Sequence, residues 1–263
     1  MNKYLQLLQP FGKSNKWTFY ILLLATFILM FLFWQLSTGT GLIPGPGPVI
    51  KSFFEITGTK DFVQNLFGSI LLTVKAMLIS VAIALLIGYL SVIPVFMPLA
   101  RFIVKCRYLT IAGLYFVFIL ICKDAGSLKL SLLIFGIVPF FVTSLLGIIG
   151  NIRQEEYDSC RTLRYNQWET LYELIIRGRM DQILEIIRQN FAITWIMIVT
   201  VESSALSGGG IGVLLYRYNK YNDLKNVLAL QIVILLIGIL TDVLLATMRR
   251  ELFPYTKLTA KDE

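Results

Sequence analysis

Residues 151–188 read NIRQEEYDSCRTLRYNQWETLYELIIRGRMDQILEIIR, and this charged segment decides how the rest of the chain is organised. It holds 13 of the chain's 24 basic and 16 acidic residues and lies between two long apolar runs. An ionised side chain costs about 3 kcal/mol at the centre of a bilayer. The charged segment therefore lies outside the membrane, and the apolar runs around it are candidate membrane helices.

A helical pattern runs through the middle of the charged segment. Apolar side chains recur there at i, i+3, i+4, i+7 and i+8, which is one face of a helix, namely Trp168, Leu171, Tyr172, Ile175 and Ile176. Asn166 precedes this face as an N-cap, with Glu169 three residues later as in a capping box. A shorter apolar face comes first, formed by Tyr157, Cys160 and Leu163. We therefore predict two short helices with a break at residues 164–166.

The apolar faces of these two helices need a partner, and their spacing leaves two alternatives open. The helices either pack against the ends of the chain's own membrane helices or dock on a separate soluble subunit. Trp and Tyr are common anchors of protein interfaces, so a docking helix is a specific hypothesis for the face that contains Trp168.

The composition is that of a membrane protein. The chain has 263 residues, is 56% hydrophobic and has a mean hydropathy of +0.72, whereas soluble domains are usually less apolar. Several uncharged runs reach the roughly 20 residues that a membrane helix needs. The net charge of +8 is explained by basic cytoplasmic loops, so we expect no nucleic-acid partner.

The sequence contains no recognisable catalytic set. Its three cysteines are scattered, it has no histidine, and neither metal-ligand spacing nor a nucleotide-binding loop is present. We therefore expect no enzyme activity and no cofactor on this chain. If ATP drives transport here, a separate chain must hydrolyse it.

The apolar runs predict an all-α polytopic membrane protein with about six transmembrane helices. One transmembrane domain covers residues 1–263, with spans at about residues 17–37, 68–95, 108–122, 130–150, 190–206 and 226–248. The first run is as long as a full span and has no small-residue cleavage site after it. We therefore interpret it as a retained helix.

The distribution of Lys and Arg orients the six spans. On this topology 16 of them fall on the side of both termini and 7 on the other side. Both termini and the charged segment are therefore predicted to be cytoplasmic. The remaining cation, Lys75, lies in the first third of the second predicted span, where it can extend to the outer interface as a depth anchor.

Two irregular segments are predicted on the outer side of the membrane. Residues 44–48 read PGPGP, which predicts an extended turn before a short surface helix at residues 49–56. Residues 207–212 read SGGGIG and break the helix after the fifth span. Such backbone at membrane depth survives only where protein or water covers it. The glycines thus either line a path or form a plain outer turn.

Two acidic residues lie in predicted spans, where ionisable groups are often functional. Glu202 comes shortly before the glycines. It is either a functional group near the membrane or an acceptor for a backbone N–H freed beside them. Asp242 lies near the cytoplasmic end of the sixth span, where we expect it to pair with Arg249 or with a neighbouring helix.

These motifs together resemble the permease subunits of ABC importers of the nitrate, sulfonate, taurine and bicarbonate group. That group has a cytoplasmic Glu-Ala-Ala-Arg-Thr-Leu-Gly motif before a helix with Trp or Phe, and this chain has DSCRTLR at residues 158–164 before Trp168. The group's Glu before a Gly-Leu-Gly turn is matched by Glu202 and GIG at residues 210–212. Its Asp in the last helix is matched by Asp242. The likeness is strongest over residues 156–252.

The resemblance implies a role in ATPase coupling for a set of residues in the charged segment, namely Asp158, Arg161, Leu163, Arg164, Asn166, Trp168, Leu171 and Tyr172. It also favours a translocation path or gate at Glu202, Gly208, Gly210 and Gly212. The chain departs from the group where Arg164 replaces the motif's glycine and where Arg177 and Asp181 replace prolines. We expect Tyr165 and Asn166 to make the turn instead.

The resemblance further implies a multi-pass permease of the bacterial plasma (inner) membrane that imports a small anionic solute, such as a sulfonate or nitrate. Its implied partners are two copies of an ATP-binding subunit, a second permease copy in a homodimer, and a periplasmic or lipid-anchored substrate-binding protein. A secondary transporter or channel is one alternative, which predicts intramembrane charge relays or inverted repeats. An ABC membrane subunit for lipid, vitamin precursor or export is another.

Overall fold

The computed structural model describes residues 16–38 and 43–254, and these ranges are largely helical. Residues 1–15, 39–42 and 255–263 of the predicted transmembrane domain lie outside the described residues. In chain order the helices are α1 (Lys16–Ser37), α2 (Pro46–Thr57), α3 (Lys60–Leu90), α4 (Met97–Lys105), α5 (Ile111–Ile121), α6 (Ala125–Gly150), α7 (Gln154–Thr162), α8 (Gln167–Thr170), α9 (Met180–Ser204), α10 (Ile211–Lys220) and α11 (Leu224–Leu252). A 3₁₀ turn, Cys106–Tyr108, follows α4, and a π-helical turn, Leu171–Arg177, continues α8. The predicted all-helical class is confirmed for these ranges.

Helices α3, α6 and α9 form the centre of the fold, and α10 and α11 pack on α9. The middle of α6 is fully enclosed, with Leu132, Leu133, Ile137, Phe141 and Val142 all buried. Gly88 of α3 lies against Leu145 of α6, where an added Cβ would come within 3.2 Å of the leucine side chain. A glycine here allows the two helices to approach closely.

Helices α3 and α6 run in the same direction. Gly88 and Leu145, which touch, lie near the C-terminal ends of these two helices. Near the N-terminal ends, Ser69 and Lys129 both reach residues 202–211. The chain must therefore return between the two helices, and it does so through α4 and α5, which are bent by 109° at a break.

Four helices, α3, α6, α9 and α11, are long and apolar enough to cross a membrane, and the bent pair of α4 and α5 makes a fifth if it is one broken span. Helix α1 has 22 residues, of which the apolar part Tyr20–Leu36 is shorter. A multi-pass membrane protein is thus confirmed. The number of six spans and their orientation stay predictions.

Helix α3 begins well before the apolar run that revealed it. It starts at Lys60 rather than near residue 68, and Thr59 caps it by accepting a hydrogen bond from the Phe62 N–H. An apolar run marks only the lipid-immersed part of a helix, so it misses the polar first turns. Lys75 consequently lies in the middle of α3, whereas its place in the first third of the membrane span stays a prediction.

Other helix boundaries also differ from the sequence expectation. Helix α2 begins at Pro46, inside the predicted extended turn, because a proline in the first turn removes only an N–H that has no helical partner. Helix α4 occupies much of the connection between the predicted spans at residues 68–95 and 108–122. Asp124 caps α6, and its hydrogen bonds from Ser127 lower the pKa of the carboxyl.

The predicted topology has a direct test with reporter fusions. Reporters inserted at Gly58 and at Asn222, in the turns after α2 and α10, are expected on the outer side. A reporter at Asn166, between α7 and α8, is expected in the cytoplasm. Alkaline phosphatase and green fluorescent protein activities distinguish the two sides. Finding Gly58 and Asn166 on one side would contradict the six-span topology.

Candidate functional site

The predicted break after the fifth apolar helix is a glycine turn, residues 207–212, between α9 and α10. Three successive glycines have positive φ: Gly208 at 87°, Gly209 at 72° and Gly210 at 122°. L residues with a side chain rarely adopt such values. Gly212 has another reason to be glycine, since an added Cβ would lie 2.3 Å from the Val199 carbonyl oxygen. The four glycines thus allow α10 to fold back closely onto α9.

Glu202 lies under the glycine turn and is only 1% exposed. The Ser69 hydroxyl donates to its carboxylate, with Oγ 2.7 Å from Oε1 and 2.9 Å from Oε2. The Gly212 N–H donates to Oε2 at 2.9 Å, and the Ile211 N–H donates to Ser69 Oγ at 2.9 Å. Glu202 therefore accepts from a backbone N–H beside the glycines, as one of the two alternatives predicted.

Two further side chains hold the glycine turn from neighbouring helices. Asn65 Oδ1 of α3 accepts from the Gly210 N–H at 2.6 Å. Lys129 Nζ of α6 donates to the Gly209 carbonyl oxygen at 2.7 Å and is itself buried. Sequence analysis missed Asn65, Ser69 and Lys129 as parts of this site. The available signal was that all three are polar residues near the start of an apolar helix.

A cleft opens beside the glycine turn at the same end of the helices. It is lined by polar residues of α3, including Gln64 and Asn65, by the backbone of the turn, and by Arg217 of α10. Gly68 also lies on its wall. The cleft thus lies over the first turns of α3, next to a turn that three helices hold in place.

The charged segment forms the two short helices predicted, and a turn at Arg164 separates them. Arg164 has a positive φ of 57°, its N–H donates to the Arg161 carbonyl, and the Tyr165 N–H donates to the Cys160 carbonyl. This pair of bonds is a Schellman motif. Arg164 therefore takes the conformation that the motif's glycine would take, and the expectation that Tyr165 and Asn166 replace that turn was wrong.

Asn166 and Glu169 form the predicted capping box at the start of α8. The Asn166 N–H donates to Glu169 Oε2 at 2.7 Å. Beyond it the apolar face divides, because Ile175 is buried whereas Trp168 is 66% and Tyr172 56% exposed. Trp168 and Tyr172 are therefore largely exposed in the single chain, while Ile175 packs inside it, so each alternative fits one part of the stripe.

The other predicted coupling residues surround this pair on the surface. Leu171 is partly buried, and the remaining ones are exposed, namely Asp158, Arg161, Leu163, Arg164 and Asn166. Asp158 and Arg161 form a loose ion pair at 3.6 Å. The ion pair between Glu156 and Arg179 joins α7 to the residue before α9. This ion pair connects the helix before the surface around Trp168 with the start of the helix after it.

Helix α9 connects the charged segment with the glycine turn. From Met180 to Glu202 it extends for about 33 Å, so the two candidate sites lie at opposite ends of one helix and are not brought together. At its first turns, Arg188 donates to Asp242 Oδ1 at 2.7 Å, and Arg249 donates to Glu185 Oε2 at 2.6 Å. Asp242 therefore pairs with a neighbouring helix, as one of the two predicted options.

Comparison with known proteins adds two relatives. A Bacillus subtilis protein named as an aliphatic sulfonates transport permease is 22% identical over 257 residues, which cover 94% of this chain and 91% of the relative. A Methanocaldococcus jannaschii protein named as an ABC transporter permease is 23% identical over 204 residues, covering 74% and 73%. The chain is similar to ABC transporter permeases. No protein-family model matches it.

The similarity to ABC permeases covers both candidate sites, since 94% of the chain aligns with the Bacillus protein. The resemblance inferred from the sequence motifs is thereby confirmed. Both relatives are named as permeases and neither is named as an enzyme. Together with the apolar spanning helices, they support the predicted multi-pass protein of the bacterial inner membrane.

Proposed function

We propose that this chain is the membrane permease subunit of an ATP-driven ABC importer. It forms part of the translocation path for a small anionic solute, such as a sulfonate or nitrate, and is coupled to a separate ATPase subunit. The name of the Bacillus relative, an aliphatic sulfonates transport permease, supports this class of solute.

The observation that carries the proposal is the exposed aromatic pair on α8 and its continuation. Trp168 and Tyr172 project from a helix whose start is fixed by a capping box. Large aromatic side chains held on a rigid backbone and left in solvent are typical of a docking surface. The charged side chains around them suit the rim of an interface with a soluble protein.

Coupling would pass along α9, because this helix begins beside the docking surface and ends at the glycine turn. A displacement of the charged segment by the ATPase would move the cytoplasmic end of α9 as a rigid body. The ion pairs Arg188–Asp242 and Arg249–Glu185 would carry the motion to α11. The turn at Gly208–Gly210 would change its contacts with α3 and α6 at the other end, which is how a gate could open.

The proposed assembly has two copies of this chain, two ATPase subunits below the membrane and a substrate-binding protein above it. Most of the outward faces of α1 and α11 are apolar and suit lipid, whereas a path between two copies needs a polar lining. The cleft beside the glycine turn supplies such a lining at the outer end.

Reconstitution tests the proposal. The chain is co-purified with its proposed ATPase subunit, placed in liposomes, and assayed for uptake of radiolabelled ethanesulfonate and nitrate in the presence of the proposed binding protein. Uptake is expected only with ATP inside the liposomes on the ATPase side. Uptake that proceeds without the ATPase, or that follows an imposed ion gradient, would instead establish a secondary transporter.

A further inference from the structure

Lys75 lies near the middle of α3 and its side chain is exposed. It is six residues, about 9 Å, below Ser69 at the glycine turn and 13 residues, about 20 Å, from Gly88 at the opposite end. Lys75 is therefore more than one helical turn from both of these ends. The depth-anchor role expected from the sequence stays a prediction, and the surroundings of Lys75 suggest a second role.

Lys75 also differs from the other charges in the interior of the long helices, because those have partners. Glu202 and Lys129 bind the glycine turn, and Arg188, Asp242, Glu185 and Arg249 form ion pairs at the other end. Among the described residues, Lys75 makes no hydrogen bond and no ion pair. An unpaired cation that faced lipid at this depth would be strongly disfavoured.

The face of α3 that carries Lys75 is open from Gln64 to Ala82. It consists of residues that recur at helical spacing and are all exposed, namely Gln64, Gly68, Leu71, Lys75, Leu78 and Ala82. Its upper end, Gln64 and Gly68, is also part of the wall of the polar cleft beside the glycine turn. The face therefore leads from that cleft directly down to the lysine.

We propose that this face of α3 lines the water-filled translocation path and that the Lys75 ammonium binds the anionic group of the transported solute there. The inference deepens the proposed importer function and rests on it. Leu71 and Leu78 lie one turn above and one turn below the ammonium and are exposed. An anion with a short apolar chain would place its charge on Lys75 and its chain against these leucines.

The nearby charges leave this role to Lys75. Lys129 is bound to the Gly209 carbonyl and faces the turn, and Glu202 is enclosed by Ser69 and Gly212. Arg217 lies at the mouth of the cleft, 3.7 Å from Asp61, so its charge is partly balanced. Lys75 thus supplies an unbalanced positive charge in the middle of α3, and the low-dielectric walls of a narrow path would focus its field on an anion.

A cysteine placed one turn above the lysine tests the inference without knowledge of the solute. Leu71→Cys is made in the complete transporter in liposomes and treated with two water-soluble thiosulfonate reagents, one carrying a sulfonate and one a trimethylammonium group. Labelling is measured above that of the parent protein, which has three cysteines of its own. Both reagents are expected to label Leu71→Cys, because water reaches the face of α3 that carries Lys75.

The charge of Lys75 is then varied in the Leu71→Cys protein. Lys75→Gln is expected to lower the ratio of sulfonate to trimethylammonium labelling rates about tenfold, since a focused field raises the local anion concentration by at least that factor. Lys75→Arg should keep the ratio. Lys60→Gln, a charge-matched control at the start of the same helix, should leave it unchanged.

Two outcomes would overturn the inference. If Leu71→Cys is not labelled, the face lies against lipid or protein rather than water. If the ratio is the same with Lys75→Gln, the lysine does not attract anions in the path. Failure of the importer proposal is distinguishable, because ATP-independent uptake with the charge-dependent ratio intact would contradict the importer and leave the Lys75 contact standing.

Discussion

Gly210→Ala is expected to abolish most transport and to lower the melting temperature of the purified protein. Gly210 has φ 122° and ψ 164°, a conformation that is essentially confined to glycine and strained by about 1–3 kcal/mol for other residues. An added Cβ would also lie 2.2 Å from the Glu202 carboxyl carbon. The new methyl group and the buried carboxylate cannot occupy these positions together, so one of them must move.

Both the Glu202 carboxylate and the glycine turn make hydrogen bonds that stabilise the fold, so moving either one breaks some of them. If Glu202 moves, it leaves the Ser69 hydroxyl and the Gly212 N–H, and a buried charged acceptor without partners costs about 3 kcal/mol or more. If the turn moves, the Asn65 and Lys129 hydrogen bonds are lost instead. Either change corresponds to roughly a 100-fold shift in the equilibrium of the intact turn.

Gly208→Ala is the matched control for Gly210→Ala. Gly208 also has a positive φ of 87°, but a Cβ there would have no neighbour closer than 3.8 Å. It therefore measures the backbone strain alone, about 1 kcal/mol, without the collision with Glu202. Uptake and the melting temperature are measured for both variants, and Gly210→Ala is expected to lower both more than Gly208→Ala does. Equal effects in the two variants would contradict a specific role for the Gly210–Glu202 contact.

The sequence predicted those parts of the molecule that depend on neighbours within one or two helical turns. The capping box of Asn166 and Glu169 joins residues three apart, and the stripe that contains Trp168 follows the helical period. The capping box was found where expected, whereas residues 171–177 of the stripe form a π-helical turn and only part of the stripe is buried. Local hydrogen bonds and helical periodicity depend on residues that are close in sequence, so the sequence alone predicts them.

The partners of Glu202 could not be predicted in the same way. Ser69 precedes it by 133 residues, and Lys129 is separated from Gly209 by 80 residues. Such pairs are decided by how α3, α6 and α9 pack, and one sequence contains no direct signal of that packing. The sequence did indicate that polar groups inside the membrane need hydrogen-bond partners, but it did not identify those partners.

Arg164 illustrates a different limit. A positive φ is expected at glycine or asparagine, so an arginine gave no signal that it would end α7 in that conformation. The backbone conformation at Arg164 is set by the two Schellman hydrogen bonds that the Arg164 and Tyr165 N–H groups donate to α7. A residue other than glycine can adopt it at a cost of about 1 kcal/mol. The backbone of the turn is thus retained although its glycine is replaced.

Trp168→Ala is expected to weaken binding of the ATPase subunit by about 30-fold, or to uncouple ATP hydrolysis from transport. Truncating a buried interface tryptophan typically costs more than about 2 kcal/mol, which is about 30-fold in affinity. In the isolated chain the indole is 66% exposed, so its removal should leave the melting temperature of the permease nearly unchanged. Affinity is measured by pull-down and by titration of the purified permease with its ATPase.

Two further variants separate docking from folding. Ile175→Ala truncates a side chain of the same stripe that is only 2% exposed, and it should lower the melting temperature because a buried isoleucine contributes about 2–5 kcal/mol. Tyr221→Ala removes an aromatic that is 75% exposed on the predicted outer side, and it should change neither property. The coupling role requires that Trp168→Ala differ from both, with a weaker pull-down and an unaltered melting temperature. A lowered melting temperature with an intact pull-down would show that the indole serves the permease itself, for example between its two copies, and would remove the charged segment as the docking site of the ATPase.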